Sequence, residues 1–79
     1  MIVEVTWLDA GFETTQMEME QAKQLTPMVR KNTGYLLEES KSKIILCFGS
    51  IEDREHQKTI YDGTLVIPRG WVEKIKKLK

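Results

Sequence analysis

The sequence predicts a mainly β fold, a small and strongly bent five-stranded barrel with one short helix. Three observations carry that prediction. Apolar and polar residues alternate near the start, an almost unbroken apolar run fills the middle, and glycines stand where a bent sheet would turn. The most informative stretch is Leu65-Val66-Ile67-Pro68-Arg69-Gly70-Trp71-Val72-Glu73-Lys74-Ile75, an apolar strand that enters a proline-led turn and resumes with an aromatic, a valine and an isoleucine. With 79 residues there is room for a single domain, 1–79, and one modest core, so oligomerisation is expected.

The first strand runs from Ile2 to Leu8, where Val3, Val5 and Trp7 alternate with Glu4 and Thr6. Asp9-Ala10-Gly11 breaks it, since aspartate bonds its own backbone and glycine tolerates positive φ. Residues 13–25 admit two readings. Good helix formers favour a short helix over Met17–Gln24, with Thr14 or Thr15 as cap and Glu18 in the first turn; the alternation Met17-Glu18-Met19-Glu20 also fits a strand. Pro27 ends either element by disfavouring the helical region at Thr26.

Met28 to Glu39 is the second strand, with Val29, Thr33, Tyr35 and Leu37 on one parity and Gly34 marking a bulge or bend. A polar connection, Glu38 to Lys43, leads to the central apolar strand Ile44–Ile51, in which Gly49 allows another bend. Ile51 to Lys58 is a charged loop or hairpin tip. Thr59 to Ile67 is the fourth strand, with a turn or bulge at Asp62-Gly63. Trp71 to Leu78 supplies the last strand, although Trp71, Ile75 and Leu78 also have helical spacing.

Cys47 is the only cysteine, which excludes an internal disulfide and a four-thiolate metal site. Its apolar setting reads as a buried structural thiol, and an unpaired cysteine fits a reducing cytoplasm. No stretch approaches the roughly 20 apolar residues of a membrane span, and the N-terminus lacks the pattern of a signal peptide. A cytoplasmic protein with no membrane partner is therefore expected. Net charge is zero, but residues 1–39 carry three basic and seven acidic groups while residues 40–79 carry nine and five. Such a dipole offers a basic face to a polyanion, or a basic end to a neighbour's acidic end, as in a head-to-tail ring. A solvated lysine-rich tail is the simpler reading of the same charges.

Pro68-Arg69-Gly70-Trp71-Val72-Glu73-Lys74-Ile75 resembles the closing turn of Src-homology-type barrels, where a proline, a short 3₁₀ turn, an aromatic and a valine precede the final strand. The acidic loop and paired-aromatic groove of those domains cannot be traced in this chain. Gly34-Tyr35-Leu36-Leu37 with Lys43-Ile44-Ile45-Leu46, and Ile67-Pro68-Arg69-Gly70 with Val72 and Ile75, resembles the two-part signature of Sm-like proteins. That resemblance covers about residues 28–76 and implies a bent five-stranded barrel, a homo-oligomeric ring and single-stranded RNA as partner. The Asp-x-x-Met-Asn loop that grips a base in that family is replaced by Ser40-Lys41-Ser42-Lys43, and the spacing after Arg69-Gly70 is one residue short at Val72. Barrel and ring survive such changes more easily than base-selective binding. Val5-Thr6-Trp7-Leu8-Asp9-Ala10 and the closing turn together are similar to small tailed-phage proteins. That similarity implies a phage origin, and so a bacterial host's cytoplasm, but little about activity; an assembly module of that origin would bind a host or virion protein.

For RNA the candidate residues are Arg69, Gly70, Lys41, Lys43 and Tyr35, with Trp71 as a second stacking face. Arginine binds phosphate and stacks on bases, and glycine lets a backbone approach. The competing reading places Trp71 in the core, leaves Tyr35 half-buried and has the lysines keep sheet edges unpaired. His56 is the only histidine, near Asp53 and Glu55; acid–base or metal chemistry needs a pocket and further ligands, so a solvated side chain is the expectation. Asp9 reads as a turn former. No phosphate loop, metal-ligand cluster or nucleophilic triad appears, so neither an enzyme nor a cofactor is expected. Two functions remain: a ring-forming, RNA-binding protein, or an assembly and protein-interaction module without nucleic acid.

Overall fold

The computed structural model describes residues 1–10 and 16–78. The fold is mainly β: β1 (Ile2–Asp9), β2 (Met28–Glu39), β3 (Lys43–Cys47), β4 (Gly49–Asp53), β5 (Lys58–Asp62), β6 (Leu65–Pro68) and β7 (Val72–Leu78). One helical turn, α1 (Met19–Ala22), precedes β2, and a 3₁₀ turn (Arg69–Trp71) separates β6 from β7. A five-stranded antiparallel sheet has the order β6-β3-β2-β1-β7, while β4 and β5 form a separate two-stranded ribbon.

β1 is an interior strand of this sheet, paired with β2 on one side and β7 on the other. Its alternation works as the sequence implies: Val3, Val5 and Trp7 are buried, and the residues between them are only partly covered. Ile44 and Leu46 of β3 and Ile67 of β6 complete the core, with Leu36, Leu65, Val72 and Ile75 packed against it. Trp7 stacks on Trp71 with ring centroids 6.4 Å apart, and its indole N–H donates to Asn32 Oδ1 at 2.9 Å. Cys47 is buried and free.

The long strand β2 serves two partners. Residues 28–35 pair with β1, and residues 35–39 pair with β3. Its inward parity differs from the sequence expectation. Register sets Gly34 opposite Val3 and Asn32 opposite Val5, so these face inward with Leu36, while Val29, Tyr35 and Leu37 are exposed. Gly34 is required by close approach: a Cβ there would lie 2.6 Å from the Cys47 carbonyl oxygen. The bulge falls instead at Leu37, between the Leu36 and Glu38 pairings.

Two stretches expected as strands are each broken, the first beside the bend expected at Gly49 and the second at the turn or bulge expected at Asp62-Gly63. Ile44–Ile51 divides at Phe48 into β3 and β4, and 59–67 divides at Gly63 and Thr64 into β5 and β6. Beyond Cys47 the β3 strand loses its β2 neighbour, because β2 turns to β1 at that level. The hairpin then continues with no third strand. Phe48 N–H donates to the Asp62 carbonyl at 3.1 Å across the break, and Gly63, at φ 60°, gives the room against Phe48 that a side chain would fill.

The helix is shorter than expected, and Glu18 stands just before it, its N–H bonded to the Gln21 side chain at 3.2 Å. The proposed caps Thr14 and Thr15 lie outside the described residues. The final segment is a strand, as preferred from the sequence, and the proline-led turn is 3₁₀. That turn joins the two outer strands of the sheet, β6 and β7, at one corner; no β6–β7 pairing closes the sheet among the described residues.

Candidate interaction surfaces

Four of the five expected site residues, Lys41, Lys43, Arg69 and Gly70, meet at that corner. Ser40 shapes the β2–β3 turn: its hydroxyl accepts the backbone N–H of Ser42 and of Lys43, at 3.3 and 3.2 Å. The turn presents Lys41 to solvent and starts β3 at Lys43, opposite Pro68. The Arg69 backbone N–H donates to the Ser42 carbonyl at 3.0 Å, which pins the 3₁₀ turn to the hairpin. Lys41, Lys43 and Arg69 thus share one end of the sheet, with exposed Gly70 beside them and nothing within 4 Å of where its Cβ would be.

The same corner brings two carboxylates. Arg69 Nη1 lies 2.9 Å from Glu39 Oε2, and Lys43 Nζ lies 3.8 Å from Glu38 Oε2. Both pairs are solvent-exposed, so each contributes about 0–1 kcal/mol to stability. Their larger effect is on the field: three cations face two anions at short range, which leaves little net attraction for a phosphate chain. Tyr35 is not part of this cluster. It is exposed on the outer sheet face, roughly 13 Å along β2 from Glu39 at ordinary strand rise. Trp71, read either as a stacking face or as core, is 43% exposed; it stacks on Trp7 and lines an apolar cleft with Leu8, Ala10, Pro27 and Gly70.

His56 sits at the tip of the ribbon. Its backbone N–H donates to Asp53 Oδ1 at 3.2 Å, and its ring Nδ1 lies 2.8 Å from Asp53 Oδ2. The pair closes the β4–β5 turn, where Gln57 takes φ 53°. Asp9 ends β1 in an ion pair with Arg30 of β2. No group of three or more histidine, cysteine or carboxylate side chains is placed to hold a metal among the described residues.

The surface that sequence reasoning missed is the ribbon itself. No residue of β4 or β5 is buried, and Phe48, Ile51, Ile60 and Tyr61 are 52%, 53%, 46% and 51% exposed. Ile51 and Ile60 are cross-strand partners on one face; Tyr61, opposite Ser50, belongs to the other. Both faces therefore carry large apolar side chains. The available signal was the interleaving of Glu52, Asp53, Lys58 and Asp62 with these residues, because a strand inside a sheet does not tolerate charges at such density.

Comparison with protein-family models, with curated proteins and with solved structures finds no match to this chain.

Proposed function

We propose that this chain is an assembly module, a small bent barrel that works by self-association and by holding a protein partner rather than by catalysis. The carrying observation is surface. The chain exposes 6520 Å², against about 4,900 Å² for a compact monomer of its mass. The surplus, about 1,600 Å², is about twice the roughly 800 Å² that one partner contributes to a standard interface. The exposed strands β4 and β5 contribute to it, with Ile51, Ile60 and Tyr61 each about half exposed.

The barrel reading rests on the outer strands β6 and β7 being joined by a three-residue turn, which curls the sheet upon itself. Their outward edges are the surfaces through which neighbouring subunits would pair to close a ring. In a phage setting a host or virion protein is the further partner. Size measurement tests the reading: the purified protein is expected to run above its monomer mass after nuclease treatment. Arg69→Ala is expected to leave association and partner capture intact.

A second reading, Sm-like binding of single-stranded RNA, is favoured by the convergence of Arg69, Lys41 and Lys43 beside the open backbone of Gly70. It requires an RNA affinity that falls steeply with salt as counterions are released. The carboxylates of Glu38 and Glu39 weigh against it. RNA affinity that is absent, or flat with salt, removes it.

A further inference from the structure

The ribbon carries an inference that deepens the assembly reading and rests on it. A two-stranded hairpin is marginal in water unless something covers a face. Here neither face is covered: no residue of β4 or β5 is buried, and Ile51, Ile60 and Tyr61 are about half exposed. The radius of gyration is 17.0 Å and the longest dimension 59 Å, whereas a compact chain of this length has a radius of about 12 Å. The ribbon is an arm held away from the core.

The face bearing the isoleucines has three cross-strand rows. From root to tip they are Gly49 with Asp62, Ile51 with Ile60, and Asp53 with Lys58. We propose that this face packs against the same face of a second copy, with the two ribbons antiparallel about a two-fold axis. Centring the isoleucine rows on each other then sets Lys58 of each copy against Asp62 of the other, and Asp53 against Gly49. The face is its own electrostatic complement, as an isologous contact requires.

Two observations select the antiparallel arrangement. Among the described residues neither Lys58 nor Asp62 has an ion-pair partner in its own chain, while Asp53, which a parallel arrangement would set against Lys58, is engaged by His56. A parallel arrangement would also place both bodies at the same end. The molecule is 24 by 22 Å across its shorter axes, too wide for bodies whose ribbons pack about 10 Å apart. Antiparallel ribbons put the bodies at opposite ends. The contact is at the small end of specific interfaces, so the dimer is expected to depend on concentration.

Sedimentation velocity from low micromolar to millimolar protein tests this. Wild type is expected to associate, and Lys58→Glu to raise the dissociation constant about tenfold or more, because the substitution recurs twice in a two-fold contact. Adding Asp62→Lys to Lys58→Glu is expected to restore association. Ile51→Asp with Ile60→Asp is expected to abolish it. The Trp7–Trp71 stack, remote from the ribbon, reports by near-ultraviolet circular dichroism that each variant is folded. Association of wild type that none of these substitutions changes overturns the ribbon contact and leaves the assembly reading standing. Rescue of Lys58→Glu by Asp53→Lys instead of Asp62→Lys overturns the antiparallel arrangement. Wild type that is monomeric throughout removes both.

Discussion

Gly34 lies where β2 passes from one partner to the other, and its missing side chain is what allows the crossing. A Cβ there meets backbone, the Cys47 carbonyl oxygen at 2.6 Å, so the contact cannot be relieved by rotating a side chain. Gly34→Ala is expected to cost about 1–3 kcal/mol, read as a lower denaturation midpoint. Gly70→Ala is the control: with open space around the position, its effect should stay within about 0.5 kcal/mol. Asn32→Leu leaves the Trp7 indole N–H without its acceptor at a site where Trp7 is 8% exposed. A loss of about 1–3 kcal/mol is expected, with a changed tryptophan emission. At this scale β1 was legible because Val3, Val5 and Trp7 spell the period of a half-buried strand. The inward face of β2 was not. Its inward residues are Asn32, Gly34 and Leu36, of which only the last is strongly apolar, while the outward Val29, Tyr35 and Leu37 imitate a core face.

The elements were read with fair accuracy, and the errors share a cause. All five expected strands exist, yet two are broken, at Phe48 and at Gly63-Thr64, because β3 outlasts the strand beside it. An apolar run carries no mark of where its neighbour departs, so Ile44–Ile51 looked continuous. The Asp62-Gly63 break was legible through its turn residues. Gly63 is at φ 60°, and a Cβ would meet Phe48 at 2.9 Å, so Gly63→Ala should disorder the ribbon root while sparing the body. Amide exchange is the appropriate probe: residues 49–62 should lose protection and β1 should keep it. At the corner, Lys41, Lys43 and Arg69 were legible as candidate cations. Their convergence and their pairing with Glu38 and Glu39 were not, because both depend on the pinning of Arg69 to Ser42 and on the register of β2 against β3, with its bulge at Leu37.

For the whole molecule, the sequence announced a charge dipole and a core too small for comfort, and the structure adds an extended shape. A radius of gyration of 17.0 Å in a 79-residue chain places much of the molecule outside its own core. The apolar groups on the ribbon, exposed on both faces, are the kind of surface that association removes from water at about 25 cal/mol per Å². Self-association is therefore the central claim, and light scattering of nuclease-treated protein across a concentration range tests it most directly. A mass above the monomer that grows with concentration and carries no nucleic acid is the predicted result. A monomer at every concentration would contradict the account.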